Sequence, residues 1–108
     1  MLSKDFNPRG IEKAAFEVTA VLRALANQRR LLILCKLVEW REANVNSLAD
    51  AVGLSQSALS QHLAKMREEG LVAYRRESQT LWYRIADARV EALLATLYSL
   101  YCDPKKRR

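Results

Sequence analysis

Apolar residues recur along this chain with two different periods, and the change of period divides the sequence. Ile11, Ala15, Val18, Leu22 and Leu25 fall at helical spacing and form one stripe. Asn7-Pro8 ahead of them suits a helix start, with Asn as the cap and Pro at the first helical position. Asn27 is read as the cap of a second helix, which carries Leu31, Leu32, Leu34, Cys35 and Val38 with Arg29, Arg30 and Lys36 between them. Arg41 to Asn44 is polar, has no periodicity and is read as a loop. Asn46 is expected to cap a short third helix, Ser47 to Val52, that presents Leu48 and Val52 inward. Gly53 suits a left-handed helix-ending residue. Ser55 then caps a fourth helix running to about Glu69, with Leu59, Leu63 and Met66 as a narrow apolar stripe and Gly70 as its stop.

After Gly70 the period falls to two. Val72, Tyr74 and Arg76 alternate with Ala73 and Arg75, and Leu81, Tyr83 and Ile85 alternate with Trp82 and Arg84. Glu77-Ser78-Gln79 is a polar tip between these runs, so the pair reads as a β-hairpin. Asp87 caps a last helix with Val90, Leu93, Leu94, Leu97 and Tyr101 on one side. The expected order is helix, helix, short helix, helix, hairpin, helix. The expected organisation is an N-terminal arm at 1–10, one domain at 11–102 and a basic tail at 103–108.

Composition narrows the class. A chain of 108 residues holds one domain. It buries about two-thirds of its unfolded surface, a thin core that a partner chain can extend. Hydrophobic residues at 50% and charged residues at 28% are a globular balance. The net charge is +6, and Lys105, Lys106, Arg107 and Arg108 carry four of those charges, so the body is only mildly basic. Such a balance favours polyanionic partners. The longest apolar run, Leu31 to Cys35, is too short to span a bilayer, and Met1 to Gly10 has no apolar core of a signal peptide, so a cytoplasmic protein is expected, with no membrane partner. Two cysteines do not make a secreted disulfide scaffold. Three glycines and one histidine leave no Gly-rich phosphate loop and no His-rich metal site. No cofactor and no enzymatic activity are expected.

Leu48 to Leu63, LADAVGLSQSALSQHL, is the most informative segment. A short helix, a tight turn at Gly53 and a capped second helix make a helix-turn-helix pattern. Opposite the apolar stripe of the second helix lie Ser57, Gln61 and Ala64, with Gln56 and Ser60 to the sides. These side chains are small or amide-bearing and uncharged; Gln can pair with an adenine edge and Ser can donate or accept. A merely solvated face more often carries Glu and Lys at i, i+4, although Ser and Gln on an ordinary amphipathic helix is the bland alternative. Arg75, Arg76 and Arg84 lie on the hairpin that follows. Beside a helix-turn-helix such a ribbon is a wing, placed to put cations on phosphates or in a minor groove. On its own it would read as a solvated hairpin with charged edges.

Three stretches, ALANQRRLLIL (Ala24 to Leu34), LSQSALSQHL (Leu54 to Leu63) and GLVAYRRESQTLWYRI (Gly70 to Ile85), resemble the ArsR/SmtB family of bacterial winged helix-turn-helix repressors. The resemblance covers roughly residues 11–102. It implies a mainly helical fold with a β-hairpin wing, homodimeric through its first and last helices, with Gln56, Ser57, Ser60 and Gln61 facing the major groove. Many members carry Gly at the wing tip, where this chain has Ser78-Gln79. His62 stands in a context common in the family, and its angle beside the apolar stripe suggests a buried side chain bonded within the fold.

Many relatives sense metals. One site type needs a pair of cysteines on the short third helix, where this chain has Val45-Asn46-Ser47-Leu48-Ala49-Asp50; another needs Asp and His along the last helix, where Asp87 is followed by Arg89 and Glu91. No metal site is expected. By composition, Cys35 and Cys102 read as two small packed hydrophobes. Cys35 lies in LLILCKL and Cys102 in LYSLYC, however, and they resemble a thiol-sensing subgroup of the family with cysteines in the contexts ILC in the second helix and YC at the end of the last. That resemblance implies a Cys35/Cys102 dithiol that answers oxidants or reactive sulfur by forming a disulfide or polysulfide bridge. Lys36 and the basic tail are expected to favour thiolate.

The reading is therefore a dimeric DNA-binding transcriptional regulator, a repressor of a near-palindromic operator, with an oxidant or reactive sulfur species as effector. Two alternatives stand beside it: a winged-helix regulator with inert cysteines under another ligand, and a dimeric interaction module that does not bind DNA.

Overall fold

The computed structural model describes residues 6–102, in the order α1 (Pro8–Leu25), α2 (Gln28–Trp40), α3 (Val45–Val52), α4 (Gln56–Glu68), β1 (Val72–Glu77), β2 (Thr80–Ile85) and α5 (Ala88–Tyr101). The basic tail and residues 1–5 lie outside the described residues. Short polar side chains start the helices as local chemistry requires. Asn27 accepts from the Arg30 N–H at 3.1 Å, Ser55 from the Ala58 N–H at 3.1 Å and Asp87 from the Arg89 N–H at 2.9 Å, each filling a donor that the first helical turn leaves free. Asn7 caps α1 in the same way, with Pro8 directly after it.

The third helix corrects the sequence expectation. Its cap is Asn44, not Asn46: the Asn44 side chain accepts from the Ser47 N–H at 2.9 Å, and α3 begins at Val45. Asn44 sits in extended backbone (φ −86°, ψ 167°), the geometry a cap needs, while Asn46 is already helical and exposed.

Left-handed glycines end two helices. Gly53 (φ 71°) closes α3 and turns the chain into α4. Gly70 (φ 80°) follows α4, where the Leu71 N–H reaches the Met66 carbonyl at 2.9 Å and the Gly70 N–H reaches Arg67 at 3.0 Å. This pair of bonds satisfies the last carbonyls and brings buried Leu71 over buried Met66.

β1 and β2 pair antiparallel in the register Val72 with Ile85, Tyr74 with Tyr83 and Arg75 with Trp82. The tip reduces to Ser78-Gln79, since Glu77 pairs with Thr80. Ser78 has φ 57°, a left-handed position that glycine fills without strain. Ala43, in the loop between α2 and α3, bridges to Tyr83 through two backbone bonds of 3.0 and 2.8 Å and ties the hairpin to the helices.

One core joins these elements. Ile33, Leu34 and Leu37 of α2, Leu48 of α3, Leu59, Leu63 and Met66 of α4, Val72 of β1, and Val90 and Leu94 of α5 are among its buried side chains. The facing of α2 differs from the expected stripe: Leu32 and Cys35 are exposed, and Ile33 and Leu37 take the inner positions. Along α1 only Leu25 is buried. Among the described residues no helix is long and apolar enough to cross a membrane.

Candidate nucleic-acid interface

The stripe Leu59, Leu63, Met66 fixes the rotation of α4. With those three at zero exposure, Gln56, Ser57, Ser60 and Gln61 all face solvent. No hydrogen bond to their side chains is present among the described residues, so their donors and acceptors are available. Beside them lies a cleft of about 570 Å³, walled by Asn46 and Ser47 of α3, Gln56 and Ser60 of α4, and Gln79 and Thr80 at the hairpin tip. The cleft thus lies between the exposed face of α4 and the tip of the hairpin, with Val45 and Leu81 as its apolar lining.

The hairpin arginines differ from one another. Arg75 Nε donates to Glu42 Oε2 at 2.8 Å and Nη2 donates to Oε1 at 3.0 Å. A longer contact of 3.5 Å runs to Glu77, and the guanidinium lies 5.8 Å from the Trp82 ring centre. The hydrogen bonds from Arg75 hold the Glu42 carboxyl below its ordinary range. Arg76 and Arg84 are exposed and have no ion pair among the described residues. Sequence reasoning missed Glu42, which stands 33 positions from Arg75 in a segment without periodicity. It also missed Trp82 Nε1, a buried donor without a partner among the described residues, and Arg30, whose fork grips Glu69 at 2.9 and 3.2 Å and joins the start of α2 to the end of α4. Double donation from one guanidinium across 39 residues leaves no local signature.

His62 is only half-buried, and no hydrogen bond to it is present among the described residues, against the expectation of a buried, bonded ring. Its place one residue before Leu63 turns it to the edge of the stripe, not into the core.

The two cysteines are free and exposed. Cys35 opens onto a groove of about 620 Å³ between α2 and α5, lined by Leu32, Val38, Leu94 and Tyr98. Although the residue is exposed, burial against these neighbours pushes its thiol up, and the charge of Cys102 pushes it in the same direction. Cys102 follows α5 as its C-terminal cap. The expected help from Lys36 fails because its ammonium is engaged elsewhere. It bonds Glu39 at 2.8 Å and lies 5.2 Å from the Trp40 ring centre. Among the described residues no group of three or more His, Cys, Asp or Glu is placed to hold a metal ion.

A recognition helix presented by a helix-turn-helix and flanked by a two-stranded wing defines a winged helix-turn-helix DNA-binding protein. Residues 27–74 match the family described as bacterial regulatory protein, arsR family. HlyU of Vibrio cholerae, described as a transcriptional activator, is 45% identical over 90% of this chain and 89% of its own, and a solved structure of it superposes with a TM-score of 0.79 over 85% of this chain and 99% of that one. YgaV of Escherichia coli, an HTH-type transcriptional regulator, is 41% identical over 85% of this chain and 93% of its own. The repressor BigR of Xylella fastidiosa superposes with a TM-score of 0.84 at 36% identity, over 91% of this chain and 99% of that one. The chain belongs to the ArsR family of DNA-binding transcriptional regulators and is not an enzyme.

Proposed function

We propose that the protein is a homodimeric repressor of a near-palindromic operator whose affinity is controlled by a Cys35/Cys102 dithiol. The observation that carries the reading is the uncharged, unbonded face of α4 set beside the wing. Gln56, Ser57, Ser60 and Gln61 would read base edges, and Arg75 and Arg76 would hold phosphates. One such helix reads only a few base pairs, so two copies related by a two-fold axis would read half-sites about one turn apart. The exposed apolar side chains of α1 and α5, among them Phe16, Leu22, Tyr98 and Leu100, support a second copy as the partner.

The switch is supported by two exposed free thiols on α2 and α5, helices that line one groove. Peroxide would take two electrons and two protons from the pair, leaving a disulfide and two waters. Two persulfide donor molecules would act in turn. The first gives up its outer sulfur to the bridge and leaves as a thiol. The second takes the electron pair and two protons as its S–S bond breaks to a thiol and hydrogen sulfide, leaving a trisulfide between the two cysteines. Because α2 supports the helix-turn-helix and α5 belongs to the proposed interface, a covalent tie would change the spacing of the two recognition helices.

The test uses a near-palindromic duplex selected by the protein from a random pool. Reduced protein is treated with peroxide, a disulfide or a persulfide donor, and the same samples go to mass spectrometry and a binding assay. An intrachain bridge with weakened binding is expected, and Cys35→Ser and Cys102→Ser should each bind with or without oxidant. A bridge with unchanged affinity would overturn the switch, and no bridge at all would leave both residues as inert thiols.

A further inference from the structure

The contact between Arg75 and Glu42 has the form of an arginine holding a phosphate. Both carboxylate oxygens face the guanidinium fork, at 2.8 Å from Nε and 3.0 Å from Nη2, the two-point geometry that arginine also offers to a phosphate. Both partners are placed by structure, not by chance. Arg75 is the cross-strand partner of Trp82, whose ring lies beside the guanidinium. Glu42 precedes Ala43, whose backbone is bridged to Tyr83 of the same hairpin. Both side chains keep access to solvent, so the pair can exchange. Arg76, on the opposite face of the same strand, has no carboxylate partner among the described residues.

We propose that Glu42 is a built-in phosphate surrogate: it holds the Arg75 fork extended and oriented while the protein is free, and a backbone phosphate of the bound duplex takes its place. The proposal rests on the reading that Arg75 contacts DNA. Its consequence is a filter on affinity. Duplex that cannot bring a phosphate to Arg75 leaves the ion pair intact, and duplex that can must displace a carboxylate and leave it near the DNA. Glu42 therefore lowers affinity for all duplexes that engage the wing. The carboxylate, freed of its hydrogen-bonded partner and left with only the more distant charge of Arg84, takes up a cation, which subtracts about one ion from the net release on binding.

The experiment is a double-mutant cycle on the full chain with Glu42→Gln, Arg75→Gln and the double variant. Binding to selected and random duplex is titrated across salt, with thermal melts as the check on folding. Glu42→Gln should tighten binding to both duplexes by about two- to fivefold, the scale of one exposed ion pair, and steepen the plot of log affinity against log salt by about one unit. In the Arg75→Gln background the same change should have no effect on affinity or slope. Equal tightening in both backgrounds would mean a general field effect and would overturn the proposal. Weaker or unchanged binding by Glu42→Gln, with Arg75→Gln still impaired, would make Glu42 a simple clamp on the wing and would also overturn it. Unimpaired binding by Arg75→Gln would instead overturn the reading of Arg75 as a DNA contact.

Discussion

The fourth helix and the two end helices all carry apolar side chains along their length, but those side chains meet different fates. On α4, Leu59, Leu63 and Met66 are completely covered by side chains of the same chain. On α1 and α5, Phe16 is 88% exposed, Leu22 51%, Tyr98 61% and Leu100 62%. Periodicity reports that a face needs covering; it does not report what covers it. The half that presents α4 and the wing is complete in one chain. The half built by α1 and the outer side of α5 is unfinished in one chain, and there we place the second copy. Cys35 opens onto the groove that α2 and α5 line at the seam between the halves, and Cys102 ends α5.

The largest expected effect separates the halves by substitution. Leu63→Ala removes a fully buried side chain, so it should lower stability by about 2–5 kcal/mol, read as a shift in the denaturant midpoint. Leu22→Asp should leave the helical spectrum largely intact and instead divide the dimer, read by sedimentation. If Leu22→Asp lowers the denaturant midpoint as much as Leu63→Ala does, the two halves are not separate.

A smaller effect distinguishes the two parts of the reading surface. Gln61→Ala should cost about 1–3 kcal/mol on the selected duplex and relax preference at one base position. Arg76→Ala should weaken selected and random duplex alike and flatten the salt slope by about one unit. Identical losses from both variants, on both duplexes, would remove the assignment of base reading to α4.

The smallest effect concerns the seam. Burial and the Cys102 charge both raise the Cys35 pKa above the ordinary thiol value of 9.0, so the thiol form dominates at neutral pH. Alkylation of Cys35 should therefore keep accelerating as pH rises beyond that value. Cys102→Ser removes the second cause and leaves the first, so its rate profile should shift slightly towards lower pH. A plateau near neutral pH would contradict the raised pKa.

Local chemistry was readable from the sequence. Asn27, Ser55 and Asp87 cap because a short polar side chain before an apolar run has few other uses, and Gly53 and Gly70 sit where the backbone turns left-handed. Asn44 was missed because two asparagines lie within one turn of each other and only backbone geometry chooses between them. The facing of α2 was misjudged because Leu31, Leu32, Ile33 and Leu34 are consecutive, so periodicity leaves the inner positions ambiguous. Exposure of Gln56, Ser57, Ser60 and Gln61 followed directly from the α4 stripe. The environment of Arg75 did not, since Glu42 reaches it through the fold. Of the two sources of positive charge expected to favour the Cys35 thiolate, Lys36 turns to Glu39 and Trp40, and the basic tail lies outside the described residues.

Sedimentation of the reduced full chain, alone and with the selected duplex, tests the central claim most directly. At micromolar concentration the account predicts a species of twice the 12.4 kDa chain mass, binding as one dimer per duplex. A monomer of 12.4 kDa that still binds the palindromic duplex tightly, one chain at a time, would contradict it.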